Sequence, residues 1–111
     1  MSRYCLAIDL KDDPLLIAEY KIHHKKVWPE IIQSLKDAGI YSMEIYCTGN
    51  RLFMVMETED LFDFDKKAIA DASNPIVQEW EKLMWNYQKA LPTAQPNEKW
   101  VLMDLIFNWK V

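Results

Sequence analysis

The sequence holds little glycine, cysteine and histidine, with two residues of each among 111. Two isolated glycines cannot form a glycine-rich phosphate loop, and no cysteine and histidine positions have the spacing of a metal site. No serine lies in the G-x-S-x-G setting of a nucleophile, and no apolar run is long enough to cross a bilayer. We therefore expect neither a nucleotide-phosphate site, nor a metal centre, nor a membrane span.

Negative charge outnumbers positive charge, with 17 aspartate and glutamate residues against 13 lysine and arginine residues. The formal net charge is −4, and the basic run "HHKK" is too short to follow a phosphate backbone, so nucleic acid is not an expected partner. The N-terminal stretch soon reaches the acidic "KDD" and has no signal-peptide pattern. Cys5 and Cys47 each lie in an apolar strand-like run, which favours buried free thiols over a disulfide. A cytoplasmic protein in reducing surroundings is the resulting expectation.

The sequence does contain the hydrophobic content of a folded domain. Half of its residues are hydrophobic, and its length suits one domain spanning residues 1–111. A core of this size is small, so burial at a subunit interface would add to its stability. Five tryptophans supply large contact areas, which serve cores, interfaces and sugar-binding surfaces alike.

Hydrophobic periodicity predicts the element order β, α, β, β, α, β, with the second helical region in two pieces and a break or kink in the first near Lys25 to Trp28. Asp13 can cap a helix that starts at Pro14, Asp60 can cap the third helix, and Asn74 with Pro75 can begin the fourth. The predicted strands cover residues 3–10, 40–47, 51–58 and 99–107, and the helices start at residue 14 or cover 29–39, 60–72 and 73–91.

This order is the ferredoxin-like arrangement of the α+β class. Four antiparallel strands would carry the helices on one face and leave the other face uncovered. Because an uncovered apolar sheet face usually marks an interface, we expect a symmetric homodimer that pairs two sheets. Trp100 and Trp109, near the end of the chain, are expected to serve that dimer.

The two histidines lie side by side in "EYKIHHKKVWPE", among aromatic residues. At helical spacing His24 lies near the middle of an apolar face that includes Tyr20, whereas His23 lies at its edge. Pro29 should break the helix just before it. Because imidazole titrates near neutral pH, His24 is either a satisfied core residue or part of a proton-transfer site, and His23 is expected to face solvent.

The combination of Tyr20, His24, Trp28, Pro29 and Glu30 resembles the L-rhamnose mutarotase family, which includes relatives assigned to L-fucose. The likeness extends over nearly the whole chain, because the first strand, the W-P-E helix, the "IY" and "LF" strands, the tryptophan helix and the last strand follow in order. The resemblance implies a dimeric α+β barrel that interconverts the α and β anomers of a 6-deoxyhexose. It implies a monosaccharide substrate and no cofactor.

Carried over by position, the resemblance makes His24 the acid–base residue. The substrate-binding positions that it implies are Tyr20, Tyr46, Trp80, Met43 and Glu81. Met43 and Glu81 stand where the rhamnose enzymes have a tyrosine and a second tryptophan, so L-fucose is expected to be preferred over L-rhamnose. The sequence leaves open whether Glu44, Glu81 or Tyr20 assists His24 as a second acid or base.

Other interpretations of these residues stay open. Tyr20, Tyr46 and Trp80 are also typical core residues, and Glu44 and Glu81 are also typical solvated charges. Barrels of this kind serve as monooxygenases, haem-handling proteins and binding modules too. In such a protein His24 would ligate haem or bind a small ligand without turnover.

Overall fold

The computed structural model describes all 111 residues, and its chain follows the predicted α+β order. Proline begins three of the four helices, at the position where its missing N–H is harmless. The elements are β1 (Ser2–Leu10), α1 (Pro14–His23), α2 (Pro29–Asp37), β2 (Ile40–Thr48), β3 (Arg51–Thr58), α3 (Phe64–Ala72), α4 (Pro75–Trp85), β4 (Gln88–Lys89) and β5 (Val101–Leu102).

One antiparallel sheet forms the base of the domain. Its long strands lie in the order β2, β3, β1, and the short strands β4 and β5 both pair with the other side of β1. The central position of β1 and β3 is that of the ferredoxin-like arrangement, as predicted. A glycine lies at each end of β2, and both Gly39 and Gly49 have the positive φ angles that allow the chain to turn there.

The helices pack on the sheet face to which the even-numbered residues of β1 point. Leu6, Ile8 and Leu10 are buried there, as the alternation of a strand requires. Burial of each such side chain contributes about 1.5–3 kcal/mol. The largest core cluster joins β1 and β3 to three helices through Ile8, Leu10, Leu52, Tyr20, Ile31, Val77, Trp80, Met84 and Tyr87.

Two of the three predicted helix caps are confirmed, and one is wrong. Asp13 and Asn74 cap α1 and α4 through their side-chain oxygens. The third helix is capped by Asp63 and not by Asp60, because Asp63 accepts hydrogen bonds from the N–H groups of the first turn. Asp60 lies in the preceding turn, where it pairs with the N-terminal ammonium of Met1.

Helix α4 is shorter than predicted. The expected helix over 73–91 ends at Trp85, and Gln88 pairs instead with Leu10 of β1. A further backbone bond of 2.8 Å joins the N–H of Lys11 to the carbonyl of Tyr87. The free side of β1 needs hydrogen-bond partners, and this tertiary demand overrides the helical pattern of the sequence.

The predicted last strand over 99–107 is also mostly absent. Only Val101 and Leu102 pair with β1, followed by one bond from the N–H of Met103 to the carbonyl of Cys5. Residues 104–111 form neither helix nor strand, so the pairing of this segment with β1 ends at Met103. Large apolar side chains of this tail are exposed: Leu105, Ile106, Phe107 and Trp109.

Both cysteines are free, as expected, but they are not buried as expected. Cys5 is half-buried, and Cys47 is exposed near the end of β2. Trp100 is partly buried and packs against both core clusters of its own chain, and the interface role expected for it stays a prediction. No helix of the protein is long and apolar enough to cross a membrane.

Candidate active site

A cavity of about 840 Å³ lies among the helices and the helix-facing side of the sheet. Its volume falls within the range of roughly 300–1,000 Å³ that is typical of small-molecule sites. Most of its lining residues are hydrophobic. Five of the six residues singled out from the sequence line it: Tyr20, His24, Met43, Trp80 and Glu81.

His24 follows the last turn of α1, where its imidazole bonds to the helix backbone. The Nδ1 atom lies 2.9 Å from the carbonyl oxygen of Tyr20. Because a carbonyl only accepts, Nδ1 carries the proton, and neutral His24 keeps its lone pair on Nε2. Nε2 bonds to no protein group and is not sealed from solvent, so it is available to a molecule in the cavity.

Burial lowers the pKa of His24 below the usual histidine range. The hydrogen bond to Tyr20 opposes this shift, and the neighbouring charge of His23 adds to it. The net lowering keeps the imidazole neutral at cellular pH. His24 therefore has both the tautomer and the protonation state of a base.

Tyr20 is buried beside His24, with the two ring centroids 4.4 Å apart. Its hydroxyl accepts a hydrogen bond of 3.2 Å from the side-chain amide of Gln88. Burial raises the pKa of Tyr20 to about 12, although the bond from Gln88 opposes the rise. The hydroxyl therefore stays protonated and can donate a hydrogen bond at any cellular pH.

Two tryptophans, Trp80 and Trp28, extend the ring cluster of Tyr20 and His24 into an aromatic wall. The ring of Trp80 lies edge-on to His24 at 5.7 Å, and Trp28 lies edge-on to Trp80 at 5.1 Å. Such tilted pairs are the preferred arrangement of aromatic rings. Trp80 is buried and lines the cavity, whereas Trp28 packs behind it against the core.

Met43 on β2 and Glu81 on α4 both line the cavity. Glu81 is half-buried, with one carboxylate oxygen 3.9 Å from the ammonium of Lys99. Lys99 also donates to the backbone carbonyl of Glu81 and lies over the ring of Trp85 at 5.3 Å. The carboxylate is thus a hydrogen-bond acceptor at the rim of a largely apolar space.

Tyr46 and Glu44 lie on the other face of the sheet and not in the cavity. Side chains alternate along a strand, so Met43 and Ile45 point to the cavity while Glu44 and Tyr46 point away. Tyr46 is 55% exposed, and its hydroxyl donates to Glu44 over 3.1 Å. Within one chain, neither Tyr46 nor Glu44 lines the cavity in which the sugar is expected to bind.

His23 is half-buried rather than solvated. Its Nε2 atom lies 3.2 Å from the hydroxyl of Tyr87, and that hydroxyl donates to Glu19 over 3.0 Å. Since the Tyr87 proton goes to Glu19, His23 is the donor to Tyr87. The chain of bonds fixes Tyr87, whose ring stands edge-on to Tyr20 at 6.1 Å.

Sequence reasoning missed six polar residues of the cavity wall: Ser34, Lys67, Asp71, Gln78, Gln88 and Lys99. Lys67 and Asp71 form an ion pair one turn apart on α3 and are both largely shielded from solvent. Their i, i+4 spacing is a recognisable signal for a pair, but not for a cavity. Gln88 had no signal, because the helical pattern assigned it to the end of α4.

No group of three or more histidine, cysteine, aspartate or glutamate side chains is arranged to hold a metal ion. The cavity instead combines the imidazole of His24, the protonated phenol of Tyr20, the carboxylate of Glu81, the Lys67–Asp71 ion pair and an apolar aromatic wall. These groups suit an uncharged ligand that carries both hydroxyl groups and C–H faces. The fold and the cavity together define a small α+β domain with a small-molecule site.

The solved structures that resemble this chain support the fold. An L-rhamnose mutarotase from Formosa agariphila superposes with a TM-score of 0.73 at 23% identity, covering 99% of this chain and 100% of that one. Tetracenomycin F2 cyclase from Streptomyces glaucescens superposes with a TM-score of 0.61 at 17% identity, covering 100% and 99%.

The sequence comparisons define the family. The family model described as L-rhamnose mutarotase matches residues 3–109. An L-fucose mutarotase from Xanthomonas campestris is 48% identical over 96% of this chain and 87% of its own length. An L-rhamnose mutarotase from Phocaeicola vulgatus is 30% identical over 95% and 93%. The chain belongs to the L-rhamnose mutarotase family, which confirms the resemblance found in its sequence.

Proposed function

We propose that this protein is an aldose mutarotase that interconverts the α and β anomers of a 6-deoxyhexose, with L-fucose preferred over L-rhamnose. The observation that carries the proposal is the available Nε2 atom of His24 beside the Tyr20 hydroxyl in an aromatic cavity. The L-fucose and L-rhamnose mutarotases among its relatives support the reaction type.

The reaction requires one proton to move from the anomeric hydroxyl to the ring oxygen, both of which are bonded to the anomeric carbon. Nε2 of His24 takes the proton of the anomeric hydroxyl, the bond from the anomeric carbon to the ring oxygen breaks, and the ring oxygen receives the proton. The open aldehyde then rotates about one bond, and the reverse steps close the ring to the other anomer. General acid–base catalysis of this kind is worth roughly 10²–10⁴-fold.

The other cavity residues hold the sugar. Trp80 offers an apolar face to the C–H groups and the methyl group of a 6-deoxy sugar. The Tyr20 hydroxyl donates to a sugar oxygen, because burial and a high pKa keep its proton in place. Among the three candidate partners of His24 we favour Tyr20, since Glu44 lies on the other face of the sheet and Glu81 pairs with Lys99.

L-Fucose and L-rhamnose differ in the configuration of their hydroxyl groups, so polar side chains must distinguish them. Sites that bond a substrate hydroxyl discriminate strongly, because a misplaced hydroxyl leaves a buried partner without a bond. Where the rhamnose enzymes have a tyrosine, this chain has Met43 and therefore lacks the phenol hydroxyl. Where they have a second tryptophan, this chain has Glu81, whose carboxylate accepts hydrogen bonds. Both line the cavity, which supports a role for them in sugar choice.

NMR magnetisation exchange between anomers tests the function directly. The protein should accelerate exchange of L-fucose more than that of L-rhamnose, after subtraction of the uncatalysed rate. A coloured protein with a Soret band and no effect on exchange would favour the haem-binding alternative. A protein that binds the sugars without accelerating exchange would be a binding module.

The sugar preference has its own test in a double substitution. Met43→Tyr with Glu81→Trp restores the rhamnose pattern and should shift the ratio of the two exchange rates toward L-rhamnose by about tenfold or more, the effect of one well-placed polar contact. The matched control is Glu79→Trp, at an exposed position of the same helix. An unchanged ratio in the double variant would mean that these positions do not select the sugar.

We further propose that the protein is a homodimer that works in the cytoplasm. The outer sheet face has an apolar centre that includes Ala7, Phe53 and Val55, between the ion pairs Arg51–Asp9 and Arg3–Glu57. A second copy would cover this face and the apolar tail.

The proposed location in the cytoplasm is supported by the two free thiols, which are consistent with a reducing compartment. Fractionation of the cells that produce the protein tests the location.

A further inference from the structure

We propose that Gln88 is a positioning residue, whose amide donates to the Tyr20 hydroxyl and thereby aims the hydroxyl's own proton at the sugar. The inference rests on the proposed mutarotase function and assigns a role to a residue outside the predicted site. Gln88 acts through Tyr20, and its contribution can therefore be separated from that of a direct sugar contact.

The burial of Gln88 is the first observation. Thr58 and Gln88 are the buried polar side chains of the protein, and Gln88 is 5% exposed. A buried amide without a partner costs about 1–3 kcal/mol. An apolar side chain would fill the same space at no such cost, so packing alone does not explain a glutamine here.

The direction of its hydrogen bond is the second observation. The Nε2 atom of Gln88 donates to the Tyr20 oxygen over 3.2 Å. A phenol that accepts a bond still has its own proton to give, and the accepted bond fixes the direction in which that proton points. The cavity is the free side, because both Tyr20 and Gln88 line it.

The backbone position of Gln88 is the third observation. Gln88 lies on β4, where it pairs with Leu10 of the buried central strand. The amide is therefore held by the sheet, while Tyr20 belongs to α1. The bond ties α1, which carries Tyr20 and ends just before His24, to the sheet across a separation of 68 residues in sequence.

Two substitutions of Gln88 test the proposal by the rate of anomer exchange. Gln88→Leu removes the donor, and we expect exchange to fall about tenfold, the effect of one hydrogen bond of about 1.4 kcal/mol. Gln88→Glu keeps length and polarity but places an acceptor beside the phenol, which turns the Tyr20 proton away from the sugar. We expect a loss at least as large, and wild-type exchange in the Glu variant would overturn the proposal.

A double-mutant cycle separates positioning from direct contact. In a Tyr20→Phe background, Gln88→Leu should cause no further loss, because the group that it orients is gone. A full additional tenfold loss in that background would overturn the proposal in favour of a contact between Gln88 and the sugar. Gln33→Leu, at an exposed position of α2, is the matched control and should leave exchange unchanged.

A spectroscopic measurement tests the bond without any activity. A fluorinated tyrosine at position 20 titrates in an accessible pH range and reports its own ionisation by fluorine NMR. Because a donor stabilises the phenolate, Gln88→Leu should raise the pKa of that phenol. An unchanged or lowered pKa would overturn the assigned bond direction. If the wild-type protein exchanged neither sugar, the mutarotase proposal would fail, and this titration would still decide the bond.

Discussion

At the scale of single residues, two adjacent histidines differ in their relation to the cavity, because their side chains point in different directions from the end of α1. His24 lies on the cavity side, with Nδ1 fixed by the Tyr20 carbonyl, whereas His23 donates to Tyr87 behind the aromatic wall. The same side-chain chemistry therefore has two environments. One imidazole has a free lone pair facing the ligand space, and the other is engaged with protein groups.

His24→Ala should reduce anomer exchange by roughly 10²–10⁴-fold, because it removes the base that moves the proton. His23→Ala should retain most of the activity, since His23 does not line the cavity. Both variants are compared by NMR exchange at the same pH, with circular dichroism to verify folding. Equal losses in the two variants, or a loss in the second alone, would contradict the assignment.

The pH dependence of the reaction follows from the lowered pKa of His24. The base form is needed, so kcat/KM should fall only as the pH drops through that lowered pKa, below about 6.5. His23→Gln removes the neighbouring positive charge and should shift this acid limb to higher pH. An acid limb above pH 6.5 in the wild-type protein, or a shift to lower pH in the variant, would speak against His24 as the base.

At the scale of elements, helix α1 positions the site, because it carries Tyr20 and ends at His24, its C-cap residue. Its start is fixed by Asp13, whose carboxylate accepts from the N–H groups of Leu15 at 2.9 Å and Leu16 at 3.3 Å. The cap therefore helps to determine where the side chains of the proposed site lie.

Asp13→Ala should lower the free energy of unfolding by about 1 kcal/mol, because two N–H groups of the first turn lose their acceptor. Urea unfolding measures the change. Asp12→Ala is the matched control: it removes an exposed aspartate that accepts no cap bond and should change stability little. Equal destabilisation by the two substitutions would show that the loss is electrostatic rather than due to the cap.

At the scale of the whole molecule, the tail beyond Met103 carries more apolar surface than one chain can bury. Ile106 is 94% exposed, Phe107 77% and Trp109 70%. Soluble monomers seldom expose so many large apolar side chains together. The tail and the outer sheet face are thus the surfaces on which the proposed homodimer depends.

Light scattering should give twice the mass of one chain at micromolar concentration. Ile106→Asp combined with Phe107→Asp should shift the protein toward the monomer, because a charge in an apolar interface costs several kcal/mol. Leu61→Asp, at a position 86% exposed outside the tail, should leave the dimer intact. A stable and fully active wild-type monomer would contradict the dimer.

The sequence by itself determined the features that depend on neighbouring residues. Strand β3 has the predicted bounds of residues 51–58, and α1 and α4 begin at the predicted caps. Helical spacing likewise placed Tyr20 and His24 on one face. The resemblance placed Met43 and Tyr46 in the same site, whereas the alternation along β2 puts only Met43 on the cavity side. These outcomes follow from periods and caps that act over a few residues.

Only the tertiary structure decided the features that require a partner far along the chain. Residues 86–91 leave the helical pattern because β1 needs a partner for its free side, and that pairing carries Gln88 to Tyr20. Lys67 and Asp71 reach the same cavity for a similar reason, through the packing of α3 against α4. A sequence pattern describes the faces of one element, whereas a cavity exists only between elements that have already packed.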